Sequence, residues 1–258
     1  MLTKQENPYS EVRVSRFENI TFFFRYWREA FLAICLFGSA LFLINNLIAS
    51  FFYKGGSNID SNYPGYSFMW NYVSDLGRVI SISGETNLVS RAIFTATLTI
   101  VGLSALGYSS VFSNFYKETS LSKLGTAILV FGILNGLDYI VIGFLPLDTH
   151  FTQHNAFVIV AFGLKLVLLV LFITIIFKDE KYPYRYAFIY LAYLVVFITF
   201  AFFLVFSLNG LLVPYLPTSI LGQKLTFYLE AVLYIIQTIG AYIYMKNNPQ
   251  NISVSSKI

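Results

Sequence analysis

Residues 156–177 read AFVIVAFGLKLVLLVLFITIIF and contain a single charged side chain, Lys165. A helix that crosses the hydrocarbon core of a bilayer needs about 20 apolar residues, so this stretch predicts a transmembrane helix. Five further stretches meet the same criterion, which brings the number of predicted spans to six. The predicted spans are residues 30–52, 92–111, 125–145, 156–177, 187–206 and 225–244.

The composition of the whole chain agrees with a membrane protein. Of its 258 residues, 57% are hydrophobic and 12% are charged, and the mean hydropathy is +0.67. A soluble domain carries about twice that charged fraction. The composition therefore argues against a soluble enzyme, a nucleic-acid binder and a disordered chain. It predicts an all-α, polytopic transmembrane bundle whose partners are membrane lipids and proteins of a membrane complex, with no nucleic acid.

The basic residues predict how the bundle is oriented. With six spans, twelve Lys and Arg residues lie on the side of the two termini, four lie on the other side, and Lys165 lies within a span. Because Lys and Arg favour cytoplasmic loops, both termini are expected in the cytoplasm and the protein in the cell membrane. The chain then divides into a cytoplasmic amphipathic segment (1–29), a six-span domain (30–244) and a cytoplasmic polar tail (245–258).

The predicted outer loops differ from one another in character. The first, residues 53–91, is the longest and contains Ser74 and Asp75. The third, residues 207–224, is apolar and contains two glycines and two prolines. Such a segment is typical of re-entrant or interfacial backbone, which is tolerated where protein or water covers it.

Ionisable residues within the spans are rare and are therefore candidates for a site. Asp138, Lys165 and Glu230 all fall in the outer halves of their spans, at a level similar to that of Asn45. With Ser74 and Asp75 from the first outer loop, they predict a polar pocket that opens to the outside and binds a ligand. A structural role stays open: Asp138 and Lys165 are candidates for a buried ion pair, and Asn135 and Asp138 share a helix face and suit hydrogen bonds between helices.

Gly132 and Gly136 stand four positions apart in the third predicted span. This spacing of small residues favours close approach of a second helix. We therefore expect the third span to pack tightly against a neighbour at these two positions.

The only histidines of the chain, His150 and His154, are four positions apart at the start of the fourth span. On a helix both imidazoles fall on one face, a spacing that suits a metal ion. With Asp148 and Asp75 as carboxylate ligands, they are candidates for a Zn²⁺ site that activates water. Helix capping and pH sensing are the alternative roles of this pair.

Two short motifs carry a family resemblance. Residues 71–77 read NYVSDLG, and residues 143–148 read GFLPLD and are followed by a histidine. These motifs resemble the signatures of an uncharacterised prokaryotic six-span membrane family, which is itself similar to the damage-regulated autophagy modulator group. The resemblance implies six helices with polar residues on one side and no assigned reaction. By carry-over it marks Ser74, Asp75, Asp148 and either His150 or His154.

A more remote similarity concerns metal-dependent intramembrane hydrolases of the ceramidase type. Those enzymes use three histidines, a serine and an aspartate, whereas this chain has two histidines. The sequence therefore leaves three functional hypotheses. The first is a multi-pass protein that binds a lipid headgroup or small polar ligand, in transport or as a complex subunit. The others are a metal-dependent lipid hydrolase and a structural membrane partner without a ligand.

Overall fold

The described part of the chain consists of long helices, and the connection between the first two of them, residues 53–87, is an extended loop. The structure, a computed structural model, describes the backbone of residues 8–208 and 218–248 and the side chains of residues 26–201 and 218–248. This part of the chain forms six α-helices and one short 3-10 helix, Val73–Gly77. The α-helices are α1 (Pro8–Phe52), α2 (Leu88–Asn114), α3 (Ser122–Phe144), α4 (Phe151–Lys178), α5 (Arg185–Leu208) and α6 (Thr218–Asn247).

The predicted all-helical fold is confirmed within the described ranges. Five helices there are long and apolar enough to cross a membrane, α1 from Tyr26 onward, α2, α3, α4 and α6. Helix α5 has described side chains from Arg185 to Ala201, which form a shorter apolar helix. The chain is therefore a multi-pass membrane protein, while a sixth span and the orientation stay predictions.

The helices extend beyond the predicted spans. Helix α1 begins at Pro8, so most of the predicted N-terminal segment continues into the first span without a break. Helix α6 begins at Thr218, so residues 218–224 are helical and not part of a third loop. Hydropathy marks the stretch that suits hydrocarbon, whereas helical hydrogen bonds continue through polar residues at either end. Residues 209–217 of the predicted re-entrant loop lie outside the described residues.

Helices α2 and α3 pack closely through glycines, as the spacing of Gly132 and Gly136 predicts. A Cβ atom placed on Gly132 would lie 2.0 Å from Ser109 Oγ, and one on Gly136 would lie 2.6 Å from the carbonyl oxygen of Gly102. Both distances are shorter than any non-bonded contact allows. The absence of side chains at these positions therefore permits the observed approach of the two helices.

The core divides into two apolar clusters along the bundle. The cluster nearer the chain termini is rich in stacked aromatic rings, for example Phe172 and Tyr190, whose ring centroids are 5.1 Å apart. At its edge the hydroxyls of Tyr116 and Tyr244 donate to Oδ2 of Asp179 at 3.0 and 2.8 Å. The second cluster lies toward the loop of residues 53–87, at what we call the long-loop end of the bundle. This cluster surrounds the cavity described below.

Candidate functional site

A cavity lies inside the bundle beneath the 3-10 helix of the long loop. Its volume is about 70 Å³, and helices α1, α2, α3, α4 and α6 all contribute to its walls. Most of the lining side chains are apolar or aromatic. They include Phe42, Phe94, Leu98, Val101, Ile142, Val158, Phe162 and Phe227.

Polar groups meet at the deep end of the cavity around Glu230 on α6, which lines it. Oε1 of Glu230 accepts a hydrogen bond from the ammonium of Lys165 at 2.5 Å. The hydroxyl of Tyr139 donates to the same oxygen at 3.0 Å, and that of Tyr193 donates to Oε2 at 3.3 Å. The Lys165 ammonium also donates to the hydroxyl of Tyr234 at 3.0 Å. Helices α3, α4, α5 and α6 are thus joined at one carboxylate.

This arrangement leaves the deep end without net charge. A charge within the bilayer is expensive unless it is paired and hydrogen-bonded. The side chains of Lys165 and Glu230 are 3% and 9% exposed, so each charge is compensated by the other rather than by water. The cavity therefore offers a ligand hydrogen-bonding oxygens at this end, but no free ionic charge.

The histidine at the long-loop end of the cavity has a defined tautomer. Nδ1 of His154 lies 2.6 Å from the carbonyl oxygen of Leu145. A carbonyl oxygen only accepts hydrogen bonds, so Nδ1 carries the proton, and Nε2 of the neutral ring is an acceptor. His154 lines the cavity, and its Nε2 makes no hydrogen bond with any residue that the structure describes.

Two more polar side chains at the same end have unused hydrogen-bonding capacity. Oε1 of Gln223 accepts the backbone N–H of Val73 at 2.9 Å, which leaves the amide NH₂ of Gln223 as a donor. The hydroxyl of Ser74 makes no hydrogen bond with any residue that the structure describes, and it lines the cavity beside Gln223. Two groups can donate, the Gln223 amide and the Ser74 hydroxyl. Two groups can accept, the Ser74 hydroxyl and Nε2 of His154.

Asp75, the neighbour of Ser74, has a different role. Its side chain is 2% exposed, and Oδ2 accepts the backbone N–H of Tyr72 at 2.8 Å and the amide of Asn58 at 3.3 Å. The guanidinium of Arg78 lies 3.6 Å from Oδ1. Burial raises the pKa of the Asp75 carboxyl, while these donors and Arg78 oppose the increase. Asp75 thus organises the loop and is not among the cavity-lining residues.

The long loop is attached to α6 near the cavity. The Lys224 ammonium donates to the carbonyl oxygen of Phe68 at 2.5 Å and also to that of Asn71. The hydroxyls of Tyr72 and Ser219 lie 2.9 Å apart. These contacts hold the loop over the cavity, so we call residues 66–77 the cap.

Asp148 attaches the long loop to the α3–α4 connection. Its two carboxylate oxygens accept the backbone N–H groups of Val79 and Ile80 at 3.0 and 2.9 Å. His150, two residues later, lies 2.8 Å through Nδ1 from the hydroxyl of Thr149. Asp148 and His150 therefore take part in hydrogen bonds at the loop surface and do not line the cavity.

The structure does not gather the predicted metal ligands into one cluster. Among the described residues, no group of three or more His, Cys, Asp or Glu side chains is arranged to hold a metal ion. Asp75, Asp148 and His154 each use hydrogen-bonding atoms on backbone groups. The Zn²⁺ site stays a prediction that this geometry does not support.

The remaining residues that were predicted to bind a ligand do not all lie around the cavity. Lys165 pairs with Glu230 and not with Asp138, so the alternative of an Asp138–Lys165 ion pair is wrong. Asn45 is half-buried on α1, and neither Asn45 nor Asp138 is among the residues that line the cavity. Of the six residues predicted to bind a ligand, Ser74 and Glu230 line it directly, and Lys165 supports Glu230.

Sequence reasoning missed Gln223 and the tyrosines around Glu230. Gln223, Phe227, Glu230 and Tyr234 follow one another at spacings of four, three and four, and all line the cavity. Such spacing places residues on one helix face. Hydropathy predicts a loop for residues 218–224, so the first two turns of α6 are not apparent from the sequence.

These observations define a class of protein: an all-helical, multi-pass membrane protein with a partly open cavity between its helices, next to the cap. The chain belongs to the family described as "Protein of unknown function (DUF998)", which matches residues 60–239. The matched region includes the cap and all cavity-lining residues except those of α1. Comparisons with curated proteins and with solved structures gave no match.

Proposed function

We propose that this protein binds a small, neutral, amphipathic group in the cavity, with its polar end at Ser74, His154 and Gln223. The observation that carries the proposal is the unused hydrogen-bonding capacity of these side chains at one end of an otherwise apolar cavity. Ligand sites are mostly apolar, with a few polar groups that fix the orientation of the ligand. The cavity follows this pattern.

The charges around the cavity favour a neutral ligand. Glu230 is neutralised by Lys165, and the groups at the cap end are a hydroxyl, a neutral imidazole and an amide. A phosphate or an ammonium would lose its hydration without gaining an opposite charge. A hydroxyl or an ester carbonyl with its adjoining alkyl segment is matched by the available donors and acceptors.

The cavity volume limits how much of a ligand enters. About 70 Å³ is roughly half the volume of an apolar cavity of about 150 Å³ that takes up a benzene molecule. The cavity therefore holds only the small polar end of a membrane lipid, such as a terminal hydroxyl group of a monoacylglycerol. The remainder of the ligand stays in the bilayer. There it would lie against apolar side chains of the bundle surface such as Phe37 and Ile159, which are 66% and 67% exposed.

We also propose how the bundle is oriented in the membrane. The distribution of Lys and Arg supports a protein of the cell membrane with both termini in the cytoplasm and the cap outside. The chain would then act in transport or as the lipid-binding subunit of a membrane complex. The division of the chain into an N-terminal segment (1–29), a bundle (30–244) and a polar tail (245–258) is part of this proposal.

The experiment is photo-crosslinking of the full chain in phosphatidylcholine vesicles. The probe is a monoacylglycerol that carries a diazirine next to the ester, and mass spectrometry locates the labelled peptides. We expect labelling of the α4 and α6 peptides that contain Phe162 and Phe227, with competition by unlabelled monoacylglycerol. A fatty acid and a phosphatidylcholine with the same diazirine are expected to label these peptides less.

Ser74→Ala is the decisive variant because the Ser74 hydroxyl bonds to no described protein group. Loss of one hydrogen bond costs about 0.5–1.5 kcal/mol, which corresponds to binding that is about two- to tenfold weaker. Ser50→Ala is the matched control, since Ser50 on α1 bonds to the Leu47 carbonyl away from the cavity. Equal labelling of the wild type and Ser74→Ala, or labelling only at bilayer-facing positions, would overturn the proposal. Release of free fatty acid from the probe would replace it with the hydrolase hypothesis.

A further inference from the structure

We propose that Asp138 and Asn135 on α3 form a second site, which binds one exchangeable proton on the Asp138 carboxyl. The two residues are 5% and 0% exposed. Neither carboxylate oxygen of Asp138 and neither amide atom of Asn135 has a hydrogen-bond partner among the described residues. This inference does not depend on the proposed ligand, because neither residue lines the cavity.

The geometry of α3 places the two unpartnered side chains next to each other. Residues three positions apart on a helix have Cβ atoms about 5–6 Å apart. The Asn135 amide carries both donor and acceptor atoms. The two side chains do not bond to each other in the structure; a change of rotamer would let the amide accept the O–H of a protonated carboxyl or donate to a carboxylate.

The titratable groups on the helices packed against α3 are engaged elsewhere. On α4, the imidazole of His154 bonds to Leu145 and the ammonium of Lys165 bonds to Glu230. On α2, the hydroxyl of Tyr108 bonds to that of Tyr190, and on α3 itself the hydroxyl of Tyr139 donates to Glu230. The remaining charged groups of these helices stand near helix ends, at Arg91, Lys123 and Lys178.

Electrostatics then decides the resting state of Asp138. An isolated carboxylate in a low-dielectric interior is so unfavourable that the group normally takes up a proton instead. Glu230 does not need to take up a proton, because the Lys165 ammonium balances its charge. No described cation pairs with Asp138. The two intramembrane carboxyls of the bundle therefore differ in charge: Glu230 is ionised and Asp138 is protonated.

The test uses dicyclohexylcarbodiimide, an apolar reagent that enters membranes and reacts with protonated carboxyls. The carboxyl O–H adds across one N=C bond to give an O-acylisourea, which rearranges to a stable N-acylurea without loss of atoms. The full chain in vesicles is labelled across a pH series, and mass spectrometry quantifies the modified peptides. We expect labelling of Asp138 at neutral pH that falls with rising pH, by about tenfold per pH unit once deprotonation dominates.

Two variants serve as controls. Asp138→Asn, which resembles the protonated acid in shape, should lose the label from the α3 peptide. Lys165→Met removes the partner of Glu230, so Glu230 should become protonated and gain the label that it lacks in the wild type. Absence of label at Asp138 while Glu230 is labelled in Lys165→Met would overturn the proposal. Labelling of Asp138 that does not change with pH would also overturn it, because the proton would then not exchange.

Discussion

Lys165 on α4 and Glu230 on α6 form an ion pair inside the bundle, with an Nζ–Oε1 distance of 2.5 Å. The Lys165 ammonium also lies 4.8 Å from the centroid of the Tyr234 ring and 5.5 Å from that of Tyr139. The two charges are thus surrounded by hydroxyls and aromatic faces. This pair fixes α4 against α6 and also forms the deep end of the cavity, so it connects the stability of the bundle with its site.

The first prediction concerns single and double replacement of this pair. Lys165→Met leaves Glu230 without its counter-ion, so the buried carboxyl has to take up a proton, and the loss of the pair should lower the free energy of unfolding by up to about 3–5 kcal/mol. Glu230→Gln needs no proton uptake, so the double variant should recover part of the loss. The measurement is unfolding of the purified chain in mixed detergent micelles.

Lys246 and Glu29 provide the matched surface pair for this experiment. Their side chains are 53% and 32% exposed, at an Nζ–Oε1 distance of 3.3 Å. Lys246→Met should therefore cost no more than about 1 kcal/mol. If Lys165→Met costs as little as Lys246→Met, or if the double variant is less stable than both single variants, the buried pair does not have the role assigned to it.

The second prediction uses the glycines between α2 and α3. Gly136→Ala introduces a Cβ 2.6 Å from a backbone carbonyl of α2, and backbone cannot move aside as a flexible side chain can. Overpacking of this kind costs about 1–3 kcal/mol. Gly163→Ala on α4 is the control, since nothing lies within 4 Å of its added Cβ. It should leave stability unchanged or raise it by up to about 1 kcal/mol, as measured by thermal unfolding in detergent.

The architecture was predictable because burial in a bilayer imposes a strong length and hydropathy requirement. Residues 156–177 identified α4 correctly, and residues 132 and 136 identified a close helix contact. The limits of α6 were not predictable from hydropathy. Ser219, Gln223 and Lys224 are polar, yet they lie in helix because the cap supplies their partners. Those partners are more than a hundred residues away in the chain.

The site was only partly predictable for a similar reason. Sequence reasoning treated Ser74 and Asp75 as one unit, because adjacent polar residues in a loop have the same appearance in a sequence. The local fold turns Asp75 toward the backbone of Tyr72 and leaves Ser74 facing the cavity. Likewise, three intramembrane ionisable residues suggested one pocket, but pairing of Lys165 with Glu230 separates Asp138 from them. Which charges meet depends on helix rotation, and hydropathy does not report rotation.

The third prediction is a pH dependence that comes from Asp75. Burial holds the pKa of its carboxyl above the ordinary value of 3.8, so the folded chain binds this proton more tightly than the unfolded chain. The contribution of Asp75 to stability is then greatest at low pH and is lost as pH rises from 3.8 through the folded pKa. Asp75→Asn does not titrate, so its stability relative to the wild type should increase across this range.

The measurement for Asp75 is thermal unfolding of both proteins in detergent over a series of acidic and neutral pH values. Asp60→Asn is the control, because Asp60 is exposed in the same loop. The difference between wild type and Asp60→Asn should lack the upward trend. A difference between wild type and Asp75→Asn that stays flat or decreases with pH would show that its hydrogen bonds and Arg78 outweigh burial.

The last prediction concerns the attachment of the cap to α6. Lys224 is 1% exposed, its ammonium serves two loop carbonyls, and it lies 4.9 Å from the centroid of the Tyr66 ring. Lys224→Met would leave both carbonyls without this donor, at a cost of about 1–3 kcal/mol each. Local opening of the cap should then be more frequent, and chymotrypsin should cleave after Phe68, which is 55% exposed, several times faster than in wild type.

Lys54→Met, which replaces an exposed lysine of the same loop, is the control and should leave the rate unchanged. Equal cleavage of all three proteins would mean that the remaining contacts of the cap with α6, through Ser219 and Gln223, are sufficient to hold it, and that Lys224 does not control access to the cavity.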